Sequence, residues 1–292
     1  GQTYTIGVIQ QMQHEALDAA TQGFQDAVAE LFGDQASVEV QNASGEAANC
    51  STIVGSFVSS GVDLIMANGT TALQSAAAAT TTIPILGTSI TEYGVALGID
   101  GFTGTTGMNV SGTSDLAPLD QQAAMLQEWF PDAKNVGLLY CSAEPNSLYQ
   151  VETVQGYLEE MGYTCTPYSF SDSNDLSAVA TNACAQSDVL YIPTDNTAAT
   201  NAELIGNIAQ SSATPIIAGE EGICSGCGVA TLTISYYDIG YATGKMAYEI
   251  LVNGADPAEM EIEYAPQFTK KYNPDMCDAL GLTAPEGYEA IG

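Results

Sequence analysis

Short apolar runs of strand length alternate with helix-length segments along nearly all of this chain. That rhythm restricts the fold more than any single motif. In the first half, strands are expected at 8–9, 38–40, 64–67 and 84–87, with helices over 16–31, 46–60 and 71–80 between them. The second half repeats the pattern. Strands are expected at 136–140, 165–170, 189–192 and 215–218, with helices over 145–161, 176–185 and 197–210. Strand–helix alternation of this kind calls for parallel sheets covered by helices on both faces. The two halves also echo each other. The segment 61–71, with Asp63-Leu64-Ile65, parallels 186–196, with Asp188-Val189-Leu190. Ile83-Pro84-Ile85 parallels Thr214-Pro215-Ile216. The expected fold class is therefore α/β, with two Rossmann-like lobes of parallel sheet joined by a hinge.

The Gly/Thr-rich stretch 98–114 is the natural place for the chain to cross between lobes. A long helix over 235–252, with Gly240 and Gly244 on one side, would then return to the first. The tail, 260–292, carries two weak strands and one short helix. The boundaries expected are 1–113 with 235–275 for the first lobe and 114–234 with 276–292 for the second, with a ligand cleft between them.

Charge excludes several partners. Lys134, Lys245, Lys270 and Lys271 are the whole basic complement, against 35 acidic residues, for a net charge of −31. Four scattered lysines cannot neutralise a phosphate backbone, so nucleic acid is not a partner. An anionic membrane surface is excluded on the same ground. No apolar run reaches the ~18 residues of a membrane span. The chain opens Gly1-Gln2-Thr3 and enters a strand at once, so it reads as a mature chain whose targeting segment has been removed.

Enzyme and cofactor signatures are missing. There is no GxSxG elbow, no phosphate-binding P-loop and no GxGxxG after a strand. The one histidine, His14, has no partner motif for catalysis and reads as a loop or cleft residue. Cys224-Ser-Gly-Cys227 is a lone CxxC with no second pair, so neither a metal nor a cofactor is expected. With glycines around it and a β-like run after it, it reads as a local disulfide or two free thiols in a turn. Seven cysteines allow at most three disulfides.

Ligands of open parallel sheets bind beyond the carboxyl ends of the strands. That rule selects Gln11 and His14, then Thr70 and Thr71, then Ser89 and Tyr93 in the first half. In the second half it selects Glu144, Asn146 and Ser147, then Asp195, then Glu220 and Glu221. Thr71-Ala72-Leu73-Gln74 fits a capping box, placing a helix N-terminus, which attracts anions, at Thr70 or Thr71. With no arginine present, that helix end is the candidate to hold a carboxylate. Asp195, Glu144 and Glu220 on the opposite rim are candidates to meet an ammonium. A ligand with both ends is a small zwitterion, as an amino acid is. Tyr93 is a candidate to stack on a flat ligand.

The sequence resembles the ABC-transporter substrate-binding proteins of the tryptophan/tyrosine-binding type. The resemblance rests on Gln13-His14-Glu15-Ala16-Leu17, on Thr70-Thr71-Ala72-Leu73-Gln74 and on Asn109-Val110-Ser111-Gly112-Thr113-Ser114-Asp115. It continues through Ser142-Ala143-Glu144-Pro145-Asn146-Ser147, Pro193-Thr194-Asp195-Asn196 and Tyr237-Asp238-Ile239-Gly240. It implies a type I periplasmic-binding fold with a hinged cleft, lipid-anchored or periplasmic, and the chain is expected to act as a monomer. It implies tryptophan, tyrosine or phenylalanine as ligand and a membrane permease as partner. It makes Thr70 and Thr71 carboxylate binders, Asp195 an ammonium partner, and Glu144, Asn146 and Ser147 second-lobe contacts. The residues alone leave open a ligand sensor for a membrane receptor, a sugar or nucleoside ligand, and an enzyme on the same scaffold.

Overall fold

A computed structural model describes residues 1–292, and in it the chain divides into two compact units. The first comprises Gly1–Leu116 and Ser235–Pro266, the second Ala117–Ile234 and Gln267–Gly292. The first unit begins with β1 (Tyr4–Gln10), α1 (Glu15–Phe32), β2 (Ala36–Asn42), α2 (Ala47–Ser60) and β3 (Leu64–Asn68). It continues through α3 (Thr70–Ala79), β4 (Ile85–Ile90), α4 (Tyr93–Leu97) and β5 (Val110–Ser114). The second unit begins with α5 (Leu119–Trp129), β6 (Asn135–Cys141), α6 (Pro145–Glu160), β7 (Thr164–Phe170) and α7 (Ser173–Gln186). It continues through β8 (Val189–Ile192), α8 (Asn196–Thr200), α9 (Ala202–Ser211), β9 (Ile216–Ala218), α10 (Glu221–Cys227) and β10 (Ala230–Thr233). The chain then supplies α11 (Tyr236–Leu251) and β11 (Glu263–Tyr264) to the first unit. It ends in the second with β12 (Thr269–Tyr272), α12 (Pro274–Leu280) and β13 (Glu289–Ala290). No helix is long and apolar enough to cross a membrane.

The first sheet runs β11-β5-β4-β3-β1-β2, with every pairing parallel. Its central strands are buried on both faces, and alternation along each strand sorts side chains between two cores. Ile6, Val8, Leu64, Met66 and Leu86 face Phe24 and Val28 of α1 and Met246 of α11. Ile9, Ile65, Ala67 and Ile85 face Val54 and Phe57 of α2 and Leu73 of α3. The second sheet runs β13-β12-β10-β9-β8-β6-β7. It departs from the all-parallel expectation because β12 pairs antiparallel with β10, Lys271 opposite Thr231. That pairing also places 267–275 with the second unit rather than the first.

Other elements differ from expectation. The helix expected over 197–210 is two helices, α8 and α9, meeting at Asn201, whose side chain donates back to the Thr197 carbonyl at 2.8 Å. The tail holds three short strands, not two. The Gly/Thr-rich stretch ends in a buried strand, β5, so the chain leaves the first unit only after Leu116. Next to that exit, Tyr236 donates its hydroxyl to Asp115 at 2.6 Å and Thr91 donates to the same carboxylate at 3.2 Å. Residues bordering two of the chain crossings are thereby tied together inside the first unit.

The packing of α11 on α1 depends on small residues. A β-carbon at Gly240 would lie 1.9 Å from the Ala20 carbonyl oxygen. At Gly244 it would lie 2.5 Å from the β-carbon of Ala27. The helices therefore approach backbone to backbone, with no side chain able to yield. Gly240→Ala should cost about 3 kcal/mol through overpacking. Gly55→Ala, on the exposed face of α2 with open space around it, should instead stabilise by roughly 0.5–1 kcal/mol. Urea unfolding of both variants checks this, and equal effects would contradict the close approach.

Candidate functional site

Both sheets deliver their polar loops at the carboxyl ends of the strands, and each unit builds its own rim. In the first unit β3 ends at Asn68, and Gly69 turns the chain into α3 with φ 118°. Only glycine fits there: besides the positive φ, a β-carbon would sit 2.5 Å from Gln11 Oε1. Gln11 comes from the end of β1, is buried, and accepts the Thr71 backbone N–H at 2.9 Å. It is a rim residue of greater consequence than its sequence signal suggested. The capping box expected at 71–74 is absent. Gly69, which has no side chain to cap with, is the N-cap, and Gln74 donates to the Ala96 carbonyl at 3.0 Å. The α3 N-terminus is therefore held by a neighbouring strand's glutamine, with Thr70 buried and Thr71 half-buried at its first turn.

Ser89 stands beside this helix end. The Gly69 N–H donates to the Thr88 carbonyl at 3.1 Å, which fixes β4 against the turn. The β4–β5 register slips between Gly87 and Ile90. Within the slip Ser89 takes φ 58°, a left-handed conformation uncommon outside glycine. It is 7% exposed and its hydroxyl has no hydrogen-bond partner.

His14 precedes α1 in extended conformation, half-buried, and its carbonyl accepts the Asp18 N–H at 2.9 Å. Tyr93 is a correction. Its ring belongs to the apolar core and its hydroxyl donates to the Thr113 carbonyl at 2.8 Å. Gly87 and Gly112 leave room for that hydroxyl. The ring fills the core between strand and helix and is not a surface offered to a flat ligand.

In the second unit the acidic residues are engaged as caps. Glu144 accepts four hydrogen bonds, from the backbone and side chain of Asn196 and of Thr197, at 2.8–3.0 Å. Its carboxylate lies at the N-terminus of α8, and these four bonds take up its roughly four lone-pair positions. Glu220 caps α10 through the N–H groups of Gly222 and Ile223. Asp195 accepts from Ala198 N and Cys141 N at 2.8 Å and from Ser147 Oγ at 2.6 Å. That uses three of its roughly four lone-pair positions. Asn146 and Gln150, one turn apart on α6, bind the loop after β8. Asn146 Nδ2 donates to the Thr194 carbonyl at 3.3 Å, and Gln150 Oε1 accepts Thr194 N and Oγ1 at 3.0 and 2.8 Å. Gln150 had escaped notice because glutamine carries no helix-face signal of its own. The spacing from Asn146 was its only mark.

Cys224 and Cys227 lie on α10 rather than in a turn, and the structure shows all seven cysteines in reduced form.

Two units on largely parallel sheets, each built from two segments of a chain that passes three times between them, form the architecture of the type I periplasmic-binding proteins. The family model for ABC transporter substrate binding protein matches residues 5–290, and the chain belongs to that family. A tyrosine-binding protein of Clostridioides difficile is 34% identical over 280 residues, covering 95% of this chain and 81% of that one. The crystal structure of an ABC domain from Streptococcus pneumoniae in complex with L-Trp superposes with a TM-score of 0.94. It is 31% identical and covers 99% of this chain and 100% of that one. The ligand-free, open structure of a Clostridium difficile substrate-binding protein with adhesive properties gives 0.75 at 33% identity, covering 99% of each.

Burial, followed by the negative charge of Glu144, raises the Asp195 carboxyl well above the usual aspartate range. A group with a raised folded-state pKa holds its proton longer in the folded chain. It therefore adds stability that is full at low pH and is lost as pH rises through the folded value. Urea midpoints of the unaltered protein should climb more on acidification from neutral pH than those of Asp195→Asn. Parallel profiles would contradict the raised pKa.

Proposed function

We propose that this chain is the extracytoplasmic solute receptor of an ABC importer, capturing an aromatic amino acid between its two units as they close. ABC substrate-binding proteins act outside the cytoplasm and hand their ligand to a membrane permease, and family membership supports that role here. Anchoring by lipid, action as a monomer and delivery to a permease belong to this proposal. The named relatives, one tyrosine-binding and one bound to L-Trp, favour an aromatic ligand.

The observation that carries the reading is Ser89. A left-handed non-glycine residue and a buried hydroxyl without a partner each cost free energy, and such costs gather where a ligand repays them. Ser89 adjoins the N-terminus of α3, where first-turn N–H groups and the helix dipole favour an anion. Thr70, Thr71 and Ser89 are thus assigned the ligand carboxylate. The remaining lone pair of Asp195 is assigned the ammonium. Binding favours the closed arrangement and requires no covalent step. No transformation of the ligand is proposed.

Ligand-stripped protein is to be screened by thermal shift against the twenty amino acids. Tryptophan, tyrosine or phenylalanine at a hundred times its Kd should add about 2.7 kcal/mol, a rise of a few degrees. Ser89→Ala should weaken binding on the order of 10- to 100-fold, the worth of a hydrogen bond to a charged group. A flat screen, or unchanged affinity in Ser89→Ala, would contradict the assignment.

A further inference from the structure

Four of the seven cysteines gather in the second unit, away from the strand-end rim. Cys184 of α7 and Cys224 and Cys227 of α10 share one apolar core, and Cys277 is buried on α12. The chain end is fastened to α10 at several points. Lys271 pairs with Glu221 at 3.0 Å, the one ion pair in the protein. Asn273 caps α12 and donates its side-chain amide to the carbonyls of Cys224 and Ser225, at 3.0 and 3.2 Å. One turn further on, the Cys277 thiol reaches the Val229 carbonyl at 3.8 Å. The preceding residue is Gly228, where a β-carbon would lie 3.2 Å from the Cys224 sulfur. The missing side chain thus leaves space beside the Cys224 sulfur, one residue before the carbonyl that the Cys277 thiol meets. Cys227, by contrast, turns its thiol back to the Ile223 carbonyl of its own helix at 3.3 Å.

We propose that Cys224 and Cys277 form a disulfide that staples α12, and with it the chain end, to α10. The bond forms by exchange: two thiols are oxidised to one disulfide, and a low-molecular-weight or protein disulfide is reduced to two thiols, taking up both protons and both electrons. An oxidising setting follows from the extracytoplasmic reading, on which this inference rests. Burial pushes both thiols up and makes them poor nucleophiles once packed. Exchange therefore occurs during folding, before α12 docks, and the finished bond is shielded from reductants.

The test uses the full chain and needs no ligand, so its outcome is separable from that of the binding assay. Protein unfolded with reductant is refolded in a reduced/oxidised glutathione buffer, quenched with N-ethylmaleimide under denaturing conditions and digested without reductant. The expected product is a cross-linked peptide pair joining Cys224 to Cys277. Reduction should lower the Tm by roughly 5–15 °C, a fall that Cys277→Ser does not show. Seven alkylated cysteines overturn the proposal, as does Cys224 joined to Cys227 or to Cys184. Should Cys277→Ser fail to fold, the peptide map of the unaltered chain decides alone.

Discussion

Neighbouring parallel strands must release the chain at the same sheet edge, so whatever follows β1, β3 and β4 arrives side by side. In the first unit this brings Gln11, the Gly69 turn and Ser89 together, although nearly eighty residues separate the first from the last. The same rule gathers Glu144, Asp195 and Glu220 in the second unit. Neither group is made by local sequence. Each is a consequence of strand direction, which in turn depends on helices covering both sheet faces.

The two rims treat charge differently. The second is crowded with carboxylates, and each is spent largely on helix N-termini and backbone N–H groups, where an anion is stabilised without any cation. That economy suits a protein with four lysines, only one of them in an ion pair. The first rim has no carboxylate at Thr70, Thr71 or Ser89. It offers a helix end steadied by Gln11 and an unpaired hydroxyl. The proposed function therefore assigns the ligand carboxylate to the first rim, where no anionic side chain has claimed the helix dipole.

Much of this was legible in the sequence, and the failures have physical causes. The central strands were plain because burial on both faces demands continuous apolar runs, as in 64–67. The strand β5 was not, because Val-Ser-Gly-Thr-Ser looks like a loop. It is buried nonetheless, since its hydroxyls are satisfied internally: Thr113 bonds Thr88 and Thr243, and Ser111 and Ser114 bond the Met260 and Thr91 carbonyls. Helix α5 passed unread for a similar reason. Gln122, in its buried face, is paid for by the Gly219 and Leu232 carbonyls. Asp195 and Glu144 were found by position, but the bonds of Glu144 to Asn196 and Thr197 and of Asp195 to Cys141 and Ser147 join partners some fifty residues apart, which no spacing rule reveals. The unpaired hydroxyl of Ser89 is likewise a property of the folded bulge alone.

Calorimetry with truncated ligands tests the central claim most directly. L-tryptophan, tryptamine, which lacks the carboxylate, and indole-3-propionate, which lacks the amine, share one ring and differ only at the ends. Heat of binding with L-tryptophan and its loss with tryptamine is the predicted result, because the proposed function assigns the carboxylate to the first rim. Tryptamine binding as tightly as L-tryptophan would contradict the account and remove Ser89 and the α3 N-terminus from the site.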